Sequence, residues 1–155
     1  MHVSRCPGRV LLPALFALCS AAVARGQATL ENLFVSTSER TDVSRLTDGG
    51  VVALGDGAGG AVVTIAGEMK GRADREGVIG AVFVPELPFF IAAYRNRKIV
   101  LAAAEVTAPV ALGETSLFMA KSRRIDVGFS AYHVYLYNTT GASATINVYV
   151  NPVRN

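Results

Sequence analysis

Short runs rich in valine, isoleucine, phenylalanine and tyrosine recur through residues 29–155, each ended by glycine, proline or charge, and none carries capped helical spacing. That rhythm belongs to a sandwich or barrel of short strands, because β-branched and aromatic side chains suit a pleated, half-buried surface. The runs fall at 33–37, 51–54, 61–66, 78–84, 89–94, 99–106, 116–119, 125–129, 132–138 and 144–150. We therefore expect an all-β fold, a single antiparallel β-sandwich of jelly-roll or Ig-like type with about eight to ten strands. Residues 101–105, Leu-Ala-Ala-Ala-Glu, form the one stretch with good helix propensity. The glycine-rich stretch 55–60 precedes a strand pattern rather than a helix, so it is expected as a turn and not a phosphate loop.

Ahead of the strands lies a segment with a different logic. Arg5 and Arg9 precede an uncharged run over 10–23, and the small-residue sequences Ala22-Val23-Ala24 and Gly26-Gln27-Ala28 follow it. The run is too short to span a hydrocarbon core of ~30 Å as a helix. Basic start, short apolar centre and small-residue flank together predict a cleaved signal peptide over 1–28, leaving a secreted domain over 29–155. No other run is long and apolar enough for a membrane helix. The expected location is the extracellular space, the periplasm or the cell surface.

Removing that segment changes the chemistry of what remains. Both cysteines, Cys6 and Cys19, lie inside it, so the domain must hold itself together by packing rather than disulfides. Of fifteen basic residues, Arg5, Arg9 and Arg25 also leave, and the remainder balances the twelve acidic ones. A nucleic-acid partner inferred from the formal charge of +3 is thereby excluded. Residues 29–68 are net acidic and 69–155 net basic, a distribution suited to head-to-tail attraction between copies or to pairing within one chain.

The clearest local pattern is at the carboxyl end. In 132–138 and 144–150 apolar residues alternate, and joining the two as a hairpin would set Leu136 opposite Ala144 and Val134 opposite Ile146. The other face would then carry His133, Tyr135, Tyr137, Thr145, Asn147 and Tyr149. An outward stripe of three tyrosines is the chemistry of a partner or sugar contact, with Asn147 and His133 offering hydrogen bonds. Asn138-Thr139-Thr140 at the turn has the form of a glycosylation sequon. Arg95, Arg97, Lys98, Lys121, Arg123 and Arg124 would meet at one end if the strands alternate in direction, giving a surface for an acidic partner.

Catalytic patterns are sparse. His133 is the single histidine after residue 28, so a zinc site would need carboxylates for the rest of its ligands. Asp126 could orient it, but no Gly-x-Ser-x-Gly elbow supplies a nucleophile. Glu39, Asp42, Glu68, Asp74 and Glu76 sit beside arginines in expected loops, where solvated charge is the ordinary reading. Asp48 and Asp56, eight residues apart, are a thin basis for calcium. No cofactor and no metal are expected.

Residues 133–150, with an Asn-Thr-Thr turn and a returning Thr/Val-alternating strand, resemble a hairpin in β-sandwich domains of phage tail and other virion surface proteins. The resemblance implies an extracellular structural or adhesive domain, and the export segment departs from that family. Together these readings point to a non-enzymatic exported domain acting by self-assembly or adhesion. A carbohydrate-binding module is the alternative, and a small secreted hydrolase the third reading.

Overall fold

The computed structural model describes residues 27–96, 104–118 and 123–154. Among the described residues there are nine strands: β1 Ala28–Val35, β2 Thr47–Ala53, β3 Ala58–Met69, β4 Gly77–Pro85, β5 Ala104–Val110, β6 Ser116–Phe118, β7 Arg123–Asp126, β8 Ala131–Asn138 and β9 Ala144–Arg154. One helix, α1 Pro88–Arg95, and a short 3-10 turn at Val43–Arg45 complete the described elements.

The strands form two antiparallel sheets, β1-β9-β3-β6 with β7 also on β3, and β2-β8-β4-β5. β6 pairs with 66–68 of β3 and β7 with 60–63, so the two share one strand position. Counted that way the described strands fill eight positions, four in each sheet, in the double Greek-key order of a jelly roll. The expected β-sandwich is what the chain forms. Its core lies between the sheets, where Val63, Ile65, Phe83, Val134, Leu136, Ile146 and Val148 are all essentially without solvent contact. Ten or so apolar side chains burying their full surface contribute about 1.5–3 kcal/mol each, which replaces what disulfides would do.

Two expectations need correcting. Residues 132–138 and 144–150 are not a hairpin, because β8 pairs with β2 and β4 while β9 pairs with β1 and β3. The link between them crosses from one sheet to the other. The two-residue period had assigned the inward faces properly, since Val134, Leu136, Ala144 and Ile146 all reach the core. A period of two sets a face and leaves the ladder partner open.

The second correction is at 89–94, expected as a strand and found as α1. Pro88 occupies the first helical turn, where its missing N–H costs nothing. Phe90, Ile91 and Tyr94 then fall on one side and pack against the outer face of the second sheet. At 99–106, residues 99–103 lie outside the described residues, and the strand begins at Ala104. The glycine-rich stretch is a turn leading into β3, as its pattern required.

Candidate functional site

The outward faces of the two sheets differ in kind. On the second sheet, Tyr135 and Tyr137 of β8 point away from the core, yet they are only 4% and 3% exposed. They lie in a second apolar cluster with Val82, Val84 and Tyr94, covered by α1 and by Val43 and Leu46. Tyr94 packs on Tyr135 with ring centroids 5.1 Å apart. Tyr137 lies across Gly80, its direct partner on β4, where any Cβ would collide with the ring. Its hydroxyl donates to Glu105 of β5, and Arg40 Nε holds the same carboxylate at 2.8 and 2.9 Å.

Electrostatics follow from that burial. Desolvation pushes the Tyr94 hydroxyl up to about 12, against the pull of Arg40 and with help from Glu105 and Tyr135. Tyr137 is pushed upward too, by burial first and then by its bond to Glu105. A phenol in an apolar site resists taking charge.

His133 sits at the margin of this covered face, its side chain 14% exposed. Nε2 lies 2.6 Å from Asp48 Oδ1 and Nδ1 lies 3.1 Å from Glu86 Oε2, while the ring stacks on Tyr135 at 4.7 Å. Both contacts are hydrogen bonds at once only when each ring nitrogen carries a proton. Arg95 donates from Nε to the Tyr135 hydroxyl at 3.2 Å and places Nη2 3.9 Å from Asp48. Partial burial works to raise the Asp48 pKa, but its bonds to His133 and the Gly50 N–H, with the nearby cations, hold it below the usual value. The cluster ties β2, β8, the end of β4 and α1 together. Asp126, the sequence candidate for orienting His133, is instead on β7 in the other sheet.

Among the described residues, no element is laid over the outer face of the first sheet. Across it run Phe34–Thr145–Glu68–Ser116 in one cross-strand row, then Asn147–Ala66, then Thr29–Tyr149–Thr64. Phe34 is 56% exposed and Tyr149 half-buried. A depression of about 610 Å³ opens over Ala66 and Gly67. Gly67 is part of its lining, and β3 and β9 approach so closely there that an added Cβ would strike the Thr145 carbonyl. A β-bulge between Leu30 and Leu33 places Asn32 at φ +55° and turns its N–H onto Asn147 Oδ1 at 2.7 Å. Asn147 Nδ2 in turn donates to the Tyr149 hydroxyl at 3.3 Å.

The remaining sequence candidates are scattered or enclosed. The three tyrosines do not share a surface: Tyr135 and Tyr137 lie under α1, and Tyr149 is on the opposite side of the sandwich. Asn138 is wholly buried, with Nδ2 donating to Val35 O and Ala142 O while Oδ1 accepts from the Thr140 N–H and hydroxyl. A glycan on that nitrogen is incompatible with the crossing between sheets, so the sequon is turn chemistry. Arg97, Lys98 and Lys121 lie outside the described residues. Arg95 reaches over β2 and β8, whereas Arg123 and Arg124 are on β7 at the far edge, so these three do not gather.

Sequence reasoning missed Asn32, Ala66, Glu68, Lys70 and Ser116 as neighbours of Asn147. The outward alternation Val62, Thr64, Ala66, Glu68 was visible, but only the β3–β9 ladder puts it beside Thr145, Asn147 and Tyr149. Among the described residues no group of three or more His, Cys, Asp or Glu side chains is arranged to hold a metal ion, and no helix is long and apolar enough to cross a membrane. No protein-family model, curated protein or solved structure shows significant similarity to the chain.

Proposed function

We propose that this chain is an exported, non-catalytic jelly-roll domain that works by adhesive contact through the outer face of β1, β9, β3 and β6. The observation that carries this reading is the asymmetry of the sandwich. One outer face is closed by α1 over a second apolar cluster, and the other is left open by the described residues, with Asn147 already fixed in place. A jelly roll is a scaffold for many activities, so the reading rests on the face and not on the fold.

Two further features support it. Both His133 nitrogens are engaged by Asp48 and Glu86, which leaves neither to activate a hydroxyl nucleophile. The export segment accords with an extracellular role, and cleavage after Ala24 would leave β1, which starts at Ala28, whole. Intact-mass measurement of protein from its native host should show a chain that begins between Arg25 and Thr29.

The contact surface is tested by paired arginine substitutions. Phe34→Arg/Thr145→Arg places charge on the open face, and Phe89→Arg, at a side chain 78% exposed on α1, serves as the control. Sedimentation velocity over a concentration series reads self-association, and immobilised glycans read adhesion. The parent should show one of these contacts, the double variant should melt like the parent and lose it, and the control should keep it. A parent showing neither contact, or loss confined to Phe89→Arg, would overturn the reading.

A further inference from the structure

We infer that the depression over Ala66 and Gly67 is a subsite for an uncharged carbohydrate, a deepening that rests on the contact face proposed above. The side chains around it decide the ligand class. Asn147, Thr145, Glu68 and Ser116 stand around Ala66, Gly67 and Leu117, so the site offers amide, hydroxyl and carboxylate groups beside a small apolar floor.

The position in the sheet excludes one mode of peptide capture. At the depression, 66–68 of β3 pair with both β9 and β6, and β9 lies between β1 and β3, so the backbone groups there are spent and no strand can be added. Recognition must come from side chains. Asn147 is held from both ends, accepting from Asn32 and donating to Tyr149, which removes rotamer freedom before a ligand arrives. By inventory, one amide N–H of Asn147 and the Tyr149 O–H proton remain for a ligand among the described contacts. Two donors on one sheet face suit vicinal sugar hydroxyls, and the Tyr149 ring in the adjoining row gives an apolar surface for the C–H face of a sugar.

Charge narrows the class. Glu68 and Lys70 both line the depression, so it presents one carboxylate and one ammonium. A polyanionic glycan would meet Glu68 without a surplus of cations to offset it. The volume of about 610 Å³ suits one or two sugar rings.

The test is a glycan array containing neutral and acidic oligosaccharides, followed by calorimetry on the strongest binder with Asn147→Ala and Tyr149→Ala proteins. Neutral oligosaccharides should be retained, and Asn147→Ala should weaken binding by about tenfold, the loss of one fixed hydrogen bond. Retention of acidic glycans alone would overturn the neutral subsite. Self-association lost in Phe34→Arg/Thr145→Arg, with no glycan retained, would mean a second copy occupies the face, sinking the sugar inference and sparing the contact reading. Glycan binding unaffected by Asn147→Ala and Tyr149→Ala would place the sugar elsewhere and overturn both.

Discussion

The two outer faces of the sandwich are built from strands of similar composition and meet opposite fates. β8 and β9 both alternate apolar with tyrosine, histidine or asparagine, and both send their apolar residues to the shared core. Over β8 the chain then lays α1 and residues 43–46, converting Tyr135 and Tyr137 into a second buried layer. Over β9 nothing described is laid, and Tyr149 keeps contact with solvent. The difference teaches that an aromatic stripe read from alternation is only half of an argument. What decides between interface and core is whether another segment of the chain covers it.

The largest expected effect contrasts these faces directly. Tyr137→Ala should destabilise the domain by about 3–5 kcal/mol, because it empties a buried site in the second apolar cluster and removes the hydroxyl bonded to Glu105. Leu136→Ala, facing the central core, should cost about 2–5 kcal/mol, and Tyr149→Ala under about 1 kcal/mol. Urea melts with equal slopes would check the order. A Tyr149→Ala cost matching that of Tyr137→Ala would mean both faces are structural.

A smaller effect sharpens the reason for the closed face. Gly80→Ala should cost about 1–3 kcal/mol, since the added methyl group meets the Tyr137 ring and must displace it. Combining it with Tyr137→Ala should recover much of that loss, because the two changes share one collision. Strict additivity in the double variant would show that Gly80 is required for another reason.

The closed face should also respond to pH at both extremes. The Tyr94 hydroxyl ionises near 12 when folded and near 10 when unfolded, so stability should be complete below pH 10 and fall as pH rises through 12. Asp48 runs the other way: its folded pKa lies below 3.8, so its contribution is present above that value and lost as pH falls through the folded one. The acid effect should be the slighter, because Asp48 is half exposed and solvent screens its pairing. An Asp48→Asn protein that melts with the parent's acid profile would remove Asp48 from this account.

Much of the architecture was legible in the sequence, and the missing part has a common cause. Strand runs, turn at 55–57 and inward faces all follow from local periodicity, which acts over a few residues. Sheet membership does not, since Val134 keeps the same inward direction whether β8 pairs with β9 or with β2 and β4. Helix α1 was missed because Phe89-Phe90-Ile91 suits either state, and the docking of Phe90, Ile91 and Tyr94 on the second sheet decided it. Of the site, Tyr149, Thr145 and Asn147 were marked in sequence, while Asn32 and Ala66 became neighbours only through long-range pairing.

The central claim, one face closed and the other open, is tested most directly by nitrating native protein with tetranitromethane and mapping the modified tyrosines by peptide mass. Tyr149 should be modified first, while Tyr94, Tyr132, Tyr135 and Tyr137, all buried, should react only on unfolding. Nitration of Tyr135 or Tyr137 in folded protein as fast as Tyr149 would contradict the account.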